Sequence, residues 1–559
     1  MSNIQEHIAK LEAAIKAQES MRDVLGDEAV DAAIDGLRSK IDLLRLQHEA
    51  PPIEKHLDLL EHSSLIREHQ RFPDLEYMFK HTLTQDAAYM SLLVQTRKML
   101  HKRVAEAIET TYPDRLNEFV GIIAEHYLRG ESWEKAAEYL IRAGNDAVMR
   151  YSDIEARGYF DKALVALYHL PEATEILRAR AETQLKLVHS SVVAESTDVS
   201  FRRLEEAEQT TRKLVEQTGQ PDDRLLLARI QYEMGLAGFF TDSTSRALHY
   251  FDQVIHTASE LGDASLLVYT ANISGQIKTM RGNIPESIAL LKLARDGFLA
   301  EGNTIEIVAC RGCLGAAWAM VGRIEEGLAE AEAGLRIAEE TNNLTGQSAG
   351  HLVLAMAQSF AGKDEEAVAN FGEAIKFAHA SQNPHYEYIS LVEGWLSKER
   401  LGMYGELDRD MHHAEELVQQ LGAELMAKEW RLAGQAAVCL RLGRVQEALE
   451  RAQLVVEEAV SREGWYGAGC GHLIWAEALY ATDPERWPEI EEHLVIALKL
   501  YDDGQIIMDG ARAHVLWGRL CADRGDTACA EEHFDAARHV FEDAHADWEV
   551  KRLQAVMAS

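Results

Sequence analysis

Small and large apolar residues recur along the second half of the chain with a period of about 40 residues. Glycine marks one point of each period, and a second breaker follows about half a period later. The breakers stand at Gly282, Gly322, Gly362, Gly402 and Gly443, and at Gly262-Asp263, Gly302-Asn303, Asn342-Asn343, Gln382-Asn383 and Gly422. Gly and Asn tolerate the left-handed backbone that ends a helix. Each period therefore predicts two helices of roughly 15 to 18 residues.

Two columns of small residues accompany these turns. They are Gly235, Gly275, Gly315, Ala355, Ala436 and Gly518 before the turns, and Ala247, Ser287, Gly327, Ala367, Ala448 and Ala530 after them. Small residues allow the two helices of a pair to approach closely, and large neighbours such as Phe251 and Phe371 fill the space between pairs. Trp395 and Leu407 interrupt the two columns, which predicts that the helices of their unit lie further apart.

The turn spacing and the two small columns resemble the tetratricopeptide repeat, in a version with longer helices. The predicted fold class is therefore all-α, with an α-solenoid superhelix over residues 118–559. The resemblance implies that the first helix of each pair lines a concave face. That face would include Arg229, Tyr232, Leu236, Phe239, Tyr269, Asn272, Gln276, Thr279, Leu352, Met356, Leu396 and Leu440. A groove of this mixed character suits an extended peptide or a helix. Alternatively, the superhelix closes on itself and these residues are core.

Residues 1–49 form a separate block with heptad spacing. The stripes are Ile4, Ile8, Leu11 and Ile15, followed by Val30, Ile34, Leu37, Ile41 and Leu44. Such spacing is typical of a coiled-coil seam, and Gly26-Asp27 marks a break between two helices. The block is predicted to be a helical hairpin, which either lies on its own array or forms a homodimer.

Residues 53–117 have a different pattern. A helix is predicted from His56 to Leu65, short strands at 65–68 and 77–80, and helices at 84–93 and 97–111. Two helices and a small hairpin suggest a winged-helix module.

The run Tyr77–Leu93, followed by Arg97, Leu100, His101 and Arg103, resembles the winged-helix segment of bacterial multidomain signal-transduction ATPases. Many proteins of that class carry a class III nucleotide cyclase at the front and tetratricopeptide repeats at the back. The resemblance implies a nucleotide-binding signalling protein as a partner. It also implies that His81 could contact a phosphate, against which we weigh a buried structural role for this histidine.

The catalytic motifs of that class are missing from the sequence. No Gly-x-x-x-x-Gly-Lys-Ser/Thr loop occurs, and no cyclase segment with paired metal-binding aspartates is recognisable. Cys310 and Cys313 have Cys-x-x-Cys spacing, but no second pair lies nearby to complete a zinc site, which favours core packing. We therefore predict a non-enzyme with no cofactor, no metal and no catalytic residue.

Charge argues against a nucleic-acid partner. The chain has 92 Asp and Glu against 57 Lys and Arg, a net charge of −35, which repels phosphate backbones and anionic lipid. The basic cluster Arg97, Lys98, Lys102 and Arg103 lies in residues 51–112, which hold 8 basic and 9 acidic residues and are not basic overall. A DNA-binding regulator is thus the less favoured hypothesis.

The remaining features predict a reduced, cytoplasmic protein. Six cysteines in 559 residues are too few for a disulfide scaffold, and neither a signal peptide nor a long apolar run is present. The predicted function is a non-catalytic scaffold or sensor that binds a protein or peptide on the concave repeat surface. The alternative is a regulatory arm of a split signalling ATPase or nucleotide cyclase.

Overall fold

The chain is almost entirely helical in the parts that the structure describes. The computed structural model describes residues 2–20, 34, 37–38, 41, 53–70, 76–150, 152–190, 197–240, 244–341, 343–421 and 428–558. Within these ranges a single two-stranded hairpin is the only sheet, and each helix is too short or too polar to cross a membrane. The chain divides into two compact units, Met1–Pro171 and Glu172–Ser559. The predicted all-α, tetratricopeptide-like class is confirmed.

The first unit contains helices around one small hairpin. Its elements are α1 (Ser2–Glu19), α2 (Ile53–His62), β1 (Ile66–Gln70), β2 (Glu76–Phe79), α3 (Thr82–Ser91), α4 (Val94–Thr111), α5 (Leu116–Arg129), α6 (Trp133–Met149) and α7 (Asp153–Tyr168). The strands pair antiparallel, with Ile66 opposite Phe79. These elements lie close to their predicted positions, while the winged-helix assignment of residues 53–117 stays a prediction.

The predicted N-terminal hairpin is described only in part. Its first stripe falls within α1, and Ile34, Leu37 and Ile41 of the second stripe are helical. The turn at Gly26-Asp27 and the rest of the second stripe lie outside the described residues.

The second unit is a succession of helix pairs. Its helices are α8 (Thr174–His189), α9 (Thr197–Thr218), α10 (Pro221–Phe240), α11 (Thr244–Leu261), α12 (Ala264–Arg281), α13 (Ile284–Glu301), α14 (Glu306–Met320), α15 (Ile324–Glu340), α16 (Leu344–Ala361), α17 (Asp364–Ala380), α18 (Pro384–Glu393), α19 (Trp395–Arg400), α20 (Tyr404–Leu421), α21 (Lys428–Arg441), α22 (Val445–Ser461), α23 (Trp465–Thr482), α24 (Trp487–Gly504), α25 (Ile507–Asp523), α26 (Thr527–Asp543) and α27 (Asp547–Ala558). The helices predicted from the 40-residue period are observed from α10 onward.

The breaker residues end and begin helices in two distinct ways. Gly282 and Gly362 follow α12 and α16 with φ of 87° and 84°, in the left-handed region that favours glycine. At the half-period points the asparagines instead cap the next helix. The Asn343 side chain accepts hydrogen bonds from the backbone N–H groups of Thr345 and Gly346. The breakers within the described residues thus lie where one helix stops and the next starts, while Asn342 and Gly422 lie outside the described residues.

The small residues lie where paired helices touch. A Cβ added to Gly315 of α14 would lie 2.5 Å from the carbonyl oxygen of Gly327 in α15. A Cβ added to Gly235 would lie 2.4 Å from the Phe251 ring. Real Cβ atoms do not approach other atoms this closely, so both positions require glycine in this packing.

The unit that carries Trp395 differs from its neighbours. The sequence predicts that the two helices of this unit lie further apart, and this stays a prediction. The structure shows in addition that the first helix is divided at Gly394 into α18 and α19. Trp395 and Leu407 are both buried, and a Cβ on Gly394 would lie 3.3 Å from the Phe371 ring. The bulky tryptophan is therefore accommodated by a break in the first helix.

Early and late repeats of the second unit contact one another directly. The Trp548 indole N–H donates to the carbonyl oxygen of Ala361 at 2.6 Å, and Arg512 Nη2 donates to that of Phe360 at 2.8 Å. The C-terminal end of α16 is therefore held by α25 and α27. This finding agrees in part with the alternative that the superhelix closes on itself.

A cluster of six charged side chains accompanies these contacts. This seam cluster consists of Asp364, Arg400, Asp509, Arg512, Glu549 and Arg552. Arg512 donates to Asp509 at 2.9 Å and to Glu549 at 2.8 Å. Burial opposes ionisation of Glu549, yet Arg512, Arg400 and Arg552 together hold its pKa below the usual value. The cluster thus compensates buried charge with charge, as such sites require.

One disulfide departs from the prediction of a fully reduced chain. Cys521 at the end of α25 is bonded to Cys529 in α26, with the two Cα atoms 5.9 Å apart. That prediction is therefore wrong for this pair. Cys310 and Cys313 are free, as their assignment to packing requires, and the Cys310 thiol donates to the Leu291 carbonyl oxygen at 3.4 Å.

Gly315→Ala should destabilise the chain by about 1–3 kcal/mol, because the new methyl group would overlap the Gly327 carbonyl. The matched control is Gly372→Ala in α17, where no atom lies within 4 Å of the added Cβ. The control should gain roughly 0.5–1 kcal/mol from helix propensity. Urea denaturation followed by circular dichroism measures both, and equal effects would contradict the close approach.

Arg512→Met should lower the free energy of unfolding by about 3–5 kcal/mol, because it removes the guanidinium that donates hydrogen bonds to the two buried carboxylates of Asp509 and Glu549. The control is Arg336→Met, whose guanidinium is exposed and only 3.9 Å from Glu332, and its effect should stay below about 1 kcal/mol. Similar midpoints for the two variants would contradict a structural role of the seam cluster.

Candidate ligand-binding site

A cavity of about 560 Å³ lies along the first helices of successive pairs in the second unit. Its walls come from α10, α12, α14, α16 and α18, with one residue from α21. They are Tyr232, Leu236, Phe239, Ile273, Gln276, Thr279, Met280, Glu306, Ala309, Cys313, Thr345, Ala349, Leu352, Val353, Met356, Phe360, Asn383, His385, Tyr386, Tyr388, Ile389, Glu393 and Trp430. The volume and the mostly apolar lining, with a few polar groups, are typical of binding pockets.

Helical periodicity explains why these side chains meet. Tyr232, Leu236 and Phe239 are four and three residues apart, so they lie on one face of α10. Leu352, Met356 and Phe360 likewise share one face of α16. Gly235 of α10 and Gly275 of α12 instead contact the second helices, through Phe251 and Leu291. The backbone carbonyl oxygen of Phe360 also accepts the hydrogen bond from Arg512.

Most of the sequence-predicted residues lie at this cavity. Tyr232, Phe239, Gln276, Leu352 and Met356 line it, together with the further candidates Leu236 and Thr279. Their role as binding residues remains a proposal.

Five predicted residues do not line the cavity: Arg229, Tyr269, Asn272, Leu396 and Leu440. Arg229 is exposed and 3.4 Å from Asp263, and the Tyr269 hydroxyl accepts a 2.7 Å hydrogen bond from Asn303. Asn272 is fully buried. Its side chain accepts a hydrogen bond from Gln276 and donates one to Glu306 of α14. Leu396 and Leu440 line another cavity of about 650 Å³, which adjoins the seam cluster.

Two carboxyl groups stand in the cavity wall, and no lysine or arginine is among the described residues that line it. The Glu306 carboxylate accepts a hydrogen bond from the Asn272 amide at 3.4 Å. Glu393 is only 3% exposed, and within the described part of the chain its carboxyl group forms no hydrogen bond or ion pair. Glu393 is therefore a buried acid without a partner.

Burial shifts the pKa of four ionisable side chains in the cavity wall, and in each case it favours the neutral form. Burial raises the pKa of Glu393 to about 8, and the nearby negative charge of Glu429 adds to this shift. Burial also raises the pKa of Glu306, raises that of Cys313 to about 12 and lowers that of His385. All four shifts favour the neutral form, so the cavity is a poorly hydrated environment.

Sequence reasoning missed several polar or aromatic residues of the cavity, among them Glu306, His385, Tyr386, Glu393 and Trp430. A signal for Glu393 exists, because it is the only charge between Ile389 and Leu396 in an otherwise apolar run. A single charge in such a run suggests a functional or compensated site. The others carry no comparable signal, since their positions depend on how successive pairs stack.

The other candidate features are not brought together with this cavity. His81 is exposed at the start of α3, so the prediction that it is buried is wrong, and its phosphate contact stays a prediction. Lys98 pairs with Glu131 at 2.6 Å, and Arg97 lies 5.0 Å from the centre of the Tyr89 ring. In the described ranges, no group of three or more His, Cys, Asp or Glu side chains could hold a metal ion.

Known proteins similar to this chain are distant. No protein-family model matches it. An uncharacterized protein of Rhizobium meliloti (strain 1021) is 30% identical over 139 residues, which are 24% of this chain and 14% of that relative's length.

The solved structures that the chain resembles are also remote in sequence. A Rap protein complexed with competence and sporulation factor has a TM-score of 0.48 at 12% identity, over 67% of this chain and 99% of that one. Aspartyl phosphate phosphatase F from Bacillus subtilis gives 0.38 at 14% identity, over 66% and 95%. Yeast Tom70 gives 0.32 at 12%, over 83% and 96%.

Glu393→Gln should remove a pH-dependent loss of stability. The folded-state pKa of about 8 exceeds the ordinary value of 4.5, so between these values only the folded state holds the proton. Wild-type stability therefore falls as pH rises through this window. The variant carries no such group, so its advantage should grow from pH 5 to pH 8 and then level off.

Urea midpoints at about pH 5, 6, 7, 8 and 9 measure this difference. Glu339→Gln, at an exposed position of α15, is the control and should follow the wild-type profile. Parallel profiles for wild type and Glu393→Gln would show that Glu393 is not desolvated.

Proposed function

We propose that the second unit is a non-catalytic scaffold that binds a protein or peptide ligand in the cavity along α10, α12, α14, α16 and α18. The observation that carries this proposal is the composition of the cavity wall. First helices of five successive pairs contribute to it, and most of its side chains are apolar or aromatic. Helical repeat arrays offer extended surfaces of this kind to their ligands.

The identity of the lining residues supports a polypeptide ligand. Tyr232, Phe239, Met356, Tyr386 and Trp430 belong to the residue types that are enriched in the centres of protein interfaces. Contributions from several repeats suit an extended segment that places successive side chains along the row of helices. A cavity of this volume can receive a few such side chains, while the rest of the segment remains outside.

The chemistry of the cavity supports binding rather than catalysis. Cys313 is its thiol, and burial keeps the pKa of that thiol near 12, so the reactive thiolate is scarce at neutral pH. The Thr279 hydroxyl bonds to the Gly275 carbonyl and to Ser287, so no base activates it. These contacts favour the scaffold over a hydrolase or transferase.

Peptides selected from a random phage-displayed library on the immobilised full-length chain should bind in this cavity. Met356→Trp would fill the space and should weaken binding of the selected synthetic peptides at least tenfold by calorimetry. Leu299→Trp, at an exposed position of α13, should leave binding unchanged. Selection of no binding peptide, or equal affinity for both variants, would contradict the proposal.

The finer expectations from the sequence stay predictions. These are the winged-helix module at 53–117, the relation to signal-transduction ATPases and cyclases, a nucleotide-binding partner, and dimerisation through residues 1–49. A regulatory arm of a split signalling protein remains the alternative function, and its basis is the resemblance over residues 77–108.

A further inference from the structure

The partnerless carboxyl of Glu393 narrows the kind of ligand that the cavity accepts. We infer that the cavity takes a peptide segment with a basic residue, whose lysine or arginine side chain pairs with Glu393. This inference rests on the proposed function and adds the charge class of the ligand.

Other buried acids in the same unit show what Glu393 lacks. Glu429 accepts a hydrogen bond from Arg462 at 2.7 Å, and Asp223 accepts one from Arg178 at 2.7 Å. Glu549 has Arg512. Buried carboxylates are normally compensated by a cation or by hydrogen bonds. Glu393 is as deeply buried as these acids but has neither, and its side chain faces the cavity.

The cavity lining would suit the whole basic side chain and not only its charge. Leu352, Met356 and Ile389 provide apolar surface for the methylene groups of a lysine or arginine. The aromatic residues Tyr386 and Trp430 in the same wall can attract a cation through their ring faces. Glu306 adds a second acidic group. An anionic segment would meet these acids without any cation of the lining to pair with, which disfavours it.

Pairing would also change the protonation of Glu393. The free cavity favours the protonated carboxyl, since burial raises its pKa to about 8. A lysine or arginine stabilises the carboxylate, so binding near neutral pH should release a proton. Calorimetry in two buffers of different ionisation enthalpy detects this release independently of the affinity.

The test selects peptides from the same random library against wild type and Glu393→Gln in parallel. Wild type should enrich a basic residue at one position, and the Gln variant should lose that enrichment. One selected peptide is then synthesised with an acetylated amino terminus and with lysine or norleucine at that position; norleucine keeps the four side-chain carbons of lysine but lacks the ammonium group. Norleucine should weaken binding to wild type roughly tenfold or more and make little difference to Glu393→Gln.

Two controls separate pairing from indirect effects. Glu339→Gln should retain wild-type affinity and proton release. Glu393→Asp keeps the charge on a shorter side chain, so it should retain part of the preference for lysine over norleucine. Circular dichroism melts confirm that each variant is folded.

The outcomes separate this inference from the proposed function. Peptides that bind in the cavity but show no basic residue, or that bind wild type and Glu393→Gln equally, would overturn the inference and leave the scaffold proposal intact. Loss of binding on acetylation alone would identify the amino terminus as the cation and overturn the basic side chain. Selection of no peptide would overturn both.

Discussion

The second unit depends on the close approach of the two helices in each pair. Gly315 and Gly327 illustrate the constraint, since a Cβ on either would lie 2.5 Å from the other's carbonyl oxygen. This contact fixes which face of each first helix turns toward its partner. The remaining face, with residues such as Leu352 and Met356 on α16, is left for the cavity. Small residues in the turns and helices therefore determine where a ligand could bind, although none of them needs to touch it.

The contacts between distant repeats add a second constraint on the same helix. Arg512 and Trp548 donate hydrogen bonds to the backbone carbonyl oxygens of Phe360 and Ala361. Both carbonyls lie at the C-terminal end of α16, which also lines the cavity. A repeat array in which each repeat touches only its neighbours would transmit little between distant segments. Here the seam cluster connects α25 and α27 to the cavity wall. The compensated charges of this cluster contrast with Glu393, where the compensating cation is missing.

Much of the repeat fold could be predicted because its signals are local. Gly282 and Gly362 mark helix ends, and Gly315 marks a helix contact, each through a property of one residue in a regular lattice. The contact of Trp548 with Ala361 could not be predicted, because it joins residues 187 positions apart and depends on the accumulated rotation of several repeats.

The candidate site could likewise be predicted only as far as local helical periodicity determines it. Tyr232 and Met356 follow from helical phase, whereas Asn272 shares that phase and is buried against a neighbouring helix. Glu393 was missed because the predicted face left out its column, in which Cys313, Val353 and Glu393 are 40 residues apart and all line the cavity. Hydrogen exchange on the full chain, with and without a selected peptide, tests the central claim most directly. The account predicts added protection in α10, α12, α14, α16 and α18 and none in α13 or α17; protection confined to the second helices or to the first unit would contradict it.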